Sequence, residues 1–141
     1  MDLIRAALPQ LPAGLEKIEL RIDRHTLAKR RWRAFAADGR DFGFDLEKPL
    51  RHGEAFFQEG GRVWVIAQTP EPLLRVLIVT PAQAARIGWQ IGNLHTPLAL
   101  GEDCALLEDT SAARQMLERE RISFSQTEGV FQPLSGGGHK H

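Results

Sequence analysis

The chain has 141 residues, with 18 Lys+Arg against 18 Asp+Glu and a formal net charge of zero, so it lacks the basic excess that binding to nucleic acid or an anionic membrane calls for. Hydrophobic residues make up 43%, enough for a globular core and too many for a disordered chain. The longest apolar run, 63–67, is too short to cross a membrane, the start Met1-Asp2-Leu3-Ile4-Arg5 lacks the marks of a signal peptide, and the single cysteine, Cys104, excludes an internal disulfide and a four-cysteine zinc site. A cytoplasmic protein with no nucleic-acid or membrane partner is the resulting expectation.

Residues 15–67, within a first domain of 1–70, read almost wholly as strand. The first candidate is 15–22. Residues 31–36 then lead into Asp38-Gly39, a two-residue hairpin signal, and 40–46 alternate with Phe42, Phe44 and Leu46 on one face. A second hairpin runs from 55–57 through Gly60-Gly61 to 63–66. No helix is expected in this half, which should form a small all-β sandwich or barrel. Pro70-Glu71-Pro72 breaks the pattern and reads as a short linker.

The grammar then changes. Residues 73–79 form a strand that is apolar on both faces apart from Arg75. A helix over 81–92 follows, with Thr80 as N-cap and Pro81 at the first helical position. Two short strands, 97–100 and 105–107, flank the turn Gly101-Glu102-Asp103. A second helix spans 110–121 and a last strand 122–126. This β-α-β-β-α-β order, within 73–134, is ferredoxin-like, and 135–141 form a Gly/His tail. The fold class is therefore α+β, with two small domains. Two helices cover one face of such a sheet, so the other face calls for a neighbouring domain or chain. Domains of about 70 residues are marginal alone, which favours a homodimer.

The chain has only five histidines, and three of them matter most. His95 lies in Gly92-Asn93-Leu94-His95-Thr96-Pro97-Leu98, four residues beyond Ile91 on the stripe Ala84, Gly88, Ile91. One reading is a histidine that caps the helix and favours its dipole. The other is a metal ligand at a surface that pairs with a copy of itself, where two-fold symmetry supplies a second imidazole. His139 and His141 follow Gly136-Gly137-Gly138, and residues two apart in an extended chain point the same way. By the flexible-chain estimate the steps from Leu134 to His141 reach about 15 Å. Imidazole suits nickel, copper and zinc, and only its neutral form binds, so affinity should weaken as pH falls through about 6.

Other candidates carry less. Cys104 is a soft ligand, a nucleophile, or simply a small buried residue. His25 and His52 read as solvated loop residues. Lys29-Arg30-Arg31-Trp32-Arg33 is the one basic cluster; it suits an interaction module for peptide or RNA, but Asp38, Asp41, Asp45 and Glu47 dilute it. Dinucleotide, phosphate-loop, nucleophile-elbow and His-Glu-x-x-His signatures are absent, so no enzyme is expected.

The run from Ala85 through Gly92-Asn93-Leu94-His95-Thr96-Pro97-Leu98 resembles the urease accessory nickel metallochaperones, the UreE family, whose members carry a helix ending in Gly-Asn-x-His-x-Pro-Leu. The Asp38-Gly39 hairpin with Phe42-Gly43-Phe44-Asp45-Leu46, the Glu71-Pro72 junction and the Gly/His tail extend the likeness over essentially the whole chain. The resemblance implies a peptide-binding type of N-terminal domain and a ferredoxin-like metal-binding domain that dimerises. It implies that His95 of each subunit holds one Ni(II) between them as cargo, with His139 and His141 as auxiliary ligands and Cu(II) or Zn(II) accepted in vitro. It also implies delivery to the urease apoprotein through a complex that includes the UreG GTPase. Unlike some members, this chain has no histidine in Leu107-Glu108-Asp109-Thr110-Ser111, and its tail ends after two. That implies one interfacial ion per dimer rather than storage of many.

Overall fold

The computed structural model describes residues 1–135. They divide into two units, one from Met1 to Thr69 and one from Pro70 onward, each with its own main buried cluster. Among the described residues no helix is long and apolar enough to cross a membrane.

In the first unit, β1 (Asp2–Ile4), β3 (Arg31–Phe35) and β4 (Asp41–Asp45) form a three-stranded sheet in the order β1-β4-β3. A second sheet, in the order β2-β6-β5, is made of β2 (Glu16–Ile22), β5 (Ala55–Glu59) and β6 (Arg62–Gln68). Side chains two apart on a strand share a face. Ile18 and Leu20, Phe42 and Phe44, and Trp64 and Ile66 obey that rule, and all six are buried in one cluster. Trp32 stacks on Phe44 with centroids 3.9 Å apart, and Phe56 meets Phe42 edge-on at 5.0 Å. Such pairs add about 0.5–1.5 kcal/mol each beyond the area they bury.

Three details of this unit depart from the sequence reading. A single helical turn, α1 (Arg24–Leu27), follows β2; Thr26 N–H donates to the Asp23 carboxylate at 2.9 Å and Leu27 is buried. Four residues are too few to show a helical period. The short strand β1, paired in parallel with β4, has no hairpin to announce it. The Asp38-Gly39 signal makes a three-residue loop rather than a two-residue one: Ala36 and Arg40 are joined by an Ala36 N–H to Arg40 carbonyl bond of 2.9 Å, and Gly39 takes φ 87°. The Gly60-Gly61 hairpin does close in two residues, both at positive φ.

The second unit contains β7 (Glu71–Leu77), α2 (Pro81–Leu94), β8 (Ala99–Leu100), β9 (Cys104–Glu108), α3 (Ser111–Arg119) and β10 (Ser125–Gly129). Its sheet has the order β10-β7-β9-β8 with every pair antiparallel, which is the ferredoxin-like arrangement. Leu74, Val76, Ala105 and Leu107 meet Ile87, Ile91, Met116 and Leu117 on the helical side. Pro70-Glu71-Pro72 is not a linker: β7 begins at Glu71, which pairs with Gly129. The last strand begins three residues later than its sequence suggests. Arg121 turns the chain at φ 56°, and Ile122 and Phe124 are spent on packing against the core before pairing starts.

The opposite face of this sheet is covered by the chain itself. After β10, at one edge, residues 130–135 cross back over the strands. Phe131 is fully buried against Leu73, Ala99 and Leu106, one from each of the other three strands. At the far edge, Leu134 N–H donates to the Leu98 carbonyl at 2.7 Å, directly before β8. The crossing fits the geometry: three inter-strand spacings make about 14 Å, and the steps from Gly129 to Leu134 reach about 17 Å when extended. The middle of this face therefore needs no neighbour, contrary to the reading from element order alone.

Candidate metal centre

The centre is built on the C-terminal end of α2. The helix starts at a full capping box: Gln83 N–H donates to the Thr80 hydroxyl at 3.2 Å, and Thr80 N–H donates to the Gln83 side-chain oxygen at 3.2 Å. Its buried residues are Ile87 and Ile91, with Leu94 packed beside them. Ala84 is exposed and Gly88 only partly covered, so of the stripe expected from sequence only Ile91 lies on the core face. Ala84, Gly88 and Gly92 instead line a smooth outer surface, with Trp89 65% exposed next to it.

His95 does not continue the helix. It takes φ 55° and ψ 36° as the left-handed residue after Leu94. His95 N–H donates to the Gly92 carbonyl at 3.1 Å, and Thr96 N–H reaches the Ile91 carbonyl at 3.5 Å. These two bonds are the Schellman ending, whose left-handed position is usually glycine. A side chain there costs about 1–2 kcal/mol against a residue without Cβ. Histidine is among the residues that accept the conformation more often than most. The imidazole is exposed, on a backbone fixed by the two capping bonds and by Leu98, which packs against the core and accepts the bond from Leu134. The stopped helix, not an extended stripe, aims this side chain.

His139 and His141 lie outside the described residues. What is described is their root: Leu134 is bonded to Leu98, three residues beyond His95. The sequence showed the tail but not that its origin is tied to the histidine loop.

The remaining candidates are not brought to His95. His25 is on α1 rather than in a loop, and is exposed. His52 is exposed, but its Nδ1 accepts from Gln68 N–H at 3.0 Å, a structural bond. Cys104 is buried, with its Sγ 2.5 Å from where a Cβ on Gly101 would stand. Among the described residues no group of three or more His, Cys, Asp or Glu side chains gathers in a metal-holding arrangement. Among the described residues, His95 is the exposed imidazole that stands at a helix end closed by two backbone capping bonds.

Two members of the basic cluster, Arg31 and Arg33, are paired within their own sheet. Arg31 Nε donates to Asp45 at 3.1 Å and Arg33 Nε to Asp41 at 2.9 Å. The Arg33 guanidinium holds the Asp41 carboxyl below its usual range, chiefly through that hydrogen bond. A cleft of about 540 Å³ in the same unit, lined by Arg5, Ala7, Glu47, Lys48, Leu50 and Glu54 among others, was not legible in the sequence. Its walls come from segments without periodicity.

Residues 5–68 match the family described as UreE urease accessory protein, N-terminal domain, and residues 71–141 match its C-terminal domain. The chain belongs to the UreE urease accessory protein family. It is 30% identical to the urease accessory protein UreE of Ectopseudomonas mendocina, over 91% of this chain and 81% of that protein. It is 31% identical to that of Acinetobacter baumannii (strain AYE), over 91% and 80%. Identity to the UreE of Burkholderia lata is 36% over 65% of this chain, and the match spans 46% of that relative's length. UreE is an accessory protein for urease and not itself a catalyst, in keeping with the missing enzyme signatures.

Proposed function

We propose that this chain is a cytoplasmic nickel carrier for urease assembly. Two copies associate through the ferredoxin-like unit, and His95 of each subunit holds one Ni(II) between them. His139 and His141 add auxiliary ligands, and the ion passes to the urease apoprotein through a complex that includes the UreG GTPase. The first unit, with its lined cleft, serves as the peptide-binding type of domain, and 73–134 serve as the metal-binding and dimerisation domain.

The observation that carries this reading is the placement of His95. It is an exposed imidazole at a left-handed helix end where glycine would be less strained, in a chain that offers no second ligand group among its described residues. An imidazole with no ligand cluster around it among the described residues suits a site completed by symmetry. The smooth surface of Ala84, Gly88 and Gly92 beside exposed Trp89 supplies contact area for the second copy. Imidazole donors suit Ni(II) and equally Cu(II) or Zn(II) in vitro. The paired state of Arg31 and Arg33 weighs against a peptide or RNA module working through the basic strand.

Nickel calorimetry on the wild type and His95→Ala tests the reading. One tight ion per dimer is expected for the wild type, with affinity at least about tenfold weaker in the variant, or about 1.4 kcal/mol. Unchanged affinity would remove His95 from the site.

A further inference from the structure

We propose that a groove between the end of β7, one flank of α2 and the turn after α3 docks an extended acidic segment of a partner protein, with Arg121 as its contact for a carboxylate. β10 pairs with β7 only as far as Ser125 and Arg75, whereas β7 runs on to Leu77. Beyond Arg75 the two chains part. A groove of about 270 Å³ opens there, lined by Leu77, Val79, Arg86, Ile87, Arg121 and Ile122 among others. Ile78 N–H donates to the Asp103 carbonyl at 2.8 Å, on the β9 side. Backbone groups alternate sides along a strand, so the N–H and carbonyl of Leu77 face the β10 side, where pairing has ended. An added strand can use such an edge.

The side chains of the groove select the occupant. Leu77 is 49% and Val79 72% exposed, which suits an apolar partner residue. The cations set the charge. Arg86 donates to the Glu120 carbonyl at 2.8 Å and lies 4.0 Å from the Glu120 carboxylate, which already accepts from Gln90 at 3.0 Å and Arg119 at 3.4 Å. Arg121 is exposed and pairs with no carboxylate among the described residues. With His95 it makes up the two non-glycine residues at positive φ among them. Arg121 N–H donates to the Glu118 carbonyl at 3.1 Å and Ile122 N–H to the Leu117 carbonyl at 2.8 Å, the same Schellman ending that holds His95. A long cationic side chain kept where glycine is less strained points to a use for that side chain. The groove also lies apart from the surface proposed for pairing. At about 100° per residue, Arg86 and Gln90 stand roughly 160° around the helix axis from Gly88 and Gly92, and Arg86 is about 14 Å along it from His95.

Fluorescence anisotropy on the full chain tests this with two labelled peptides, the acidic Glu-Leu-Glu-Val-Glu-Leu and its counterpart Lys-Leu-Lys-Val-Lys-Leu. The acidic peptide should bind, and bind less well as salt rises; the lysine peptide should not bind. Arg121→Gly should weaken the acidic peptide about three- to tenfold. It should leave the fold as stable or more so, because glycine relieves φ 56°. Arg121→Lys, which keeps the charge, should retain most of the affinity. Val79→Ser, which removes part of the apolar wall, should also weaken binding about three- to tenfold. Failure of the wild type to bind the acidic peptide overturns the proposal, as does equal affinity for the two peptides or unchanged affinity in Arg121→Gly. Sedimentation of Val79→Ser adds a separate check: a changed oligomeric state would put a second copy of this chain in the groove and overturn the proposal too.

Discussion

A histidine in the left-handed position of a Schellman ending carries two separable properties, its backbone angles and its imidazole. Glycine at position 95 would relieve the strain of φ 55°, whereas alanine would keep it. His95→Gly should therefore leave the metal-free protein as stable as the wild type or more so, by up to about 1 kcal/mol, while nickel affinity collapses as it does in His95→Ala. Chemical denaturation of the metal-free proteins checks the first part and calorimetry the second. A clear loss of stability in His95→Gly would show that the imidazole itself supports the helix end. The sequence pointed to this residue but not to its conformation. The sequence reading ended the helix near Gly92 and offered His95 as a helix-end residue, two residues short of the observed end at Leu94, but nothing in it announced the left-handed angles.

The helix that carries it was largely legible, because both of its ends obey local rules. Thr80, Pro81 and Gln83 announce the start, and the structure closes the end with two backbone bonds. Elements lacking such signals were misplaced or missed: the single turn α1, the three-residue strand β1, and β10, whose polar Ser-Gln-Thr-Glu-Gly has no alternation to set its register. The second helix, α3, also starts at a threonine cap, with Ala113 N–H donating to the Thr110 hydroxyl at 3.1 Å, and an ion pair is added there. Arg114 Nε donates to Asp109 at 2.6 Å just before the helix, and that hydrogen bond, ahead of the opposing effect of burial, lowers the Asp109 carboxyl below 3.8. A carboxyl whose folded value is depressed stabilises the fold fully above its unfolded value. The contribution is lost as pH falls from there through the folded value. Asp109→Asn should thus lower the melting temperature at neutral pH and flatten its decline below about pH 4. Thermal melts of both proteins from pH 7 to pH 2.5 would show it, and parallel acid limbs would exclude this pair as a contributor.

At the scale of the molecule, the division into two units and the ferredoxin-like order were readable because the hydrophobic period changes from two to that of a helix near residue 73. The return of 130–135 across the sheet was not readable. Val130-Phe131-Gln132-Pro133-Leu134 offers isolated apolar residues and no period, and Phe131 is buried on a sheet face that only the folded unit presents. The proposed site would take its second half from another copy, which a single sequence motif cannot display.

The aromatic residues give the molecule a further property. It has three tryptophans and no tyrosine. Trp64 is fully buried and Trp32 is stacked on Phe44, both in the first unit, whereas Trp89 stands 65% exposed on α2. Red-edge emission from this protein therefore comes mainly from one indole, about 9 Å along the helix axis from His95. Association over the outer surface of α2 should shift that emission to the blue and shield it from acrylamide on dilution-dependent mixing. Cu(II) bound at His95 should quench it, with Trp89→Phe silent in both experiments. The protein thus holds a native fluorescent reporter with which the proposed pairing and loading can be followed, with no label to be attached.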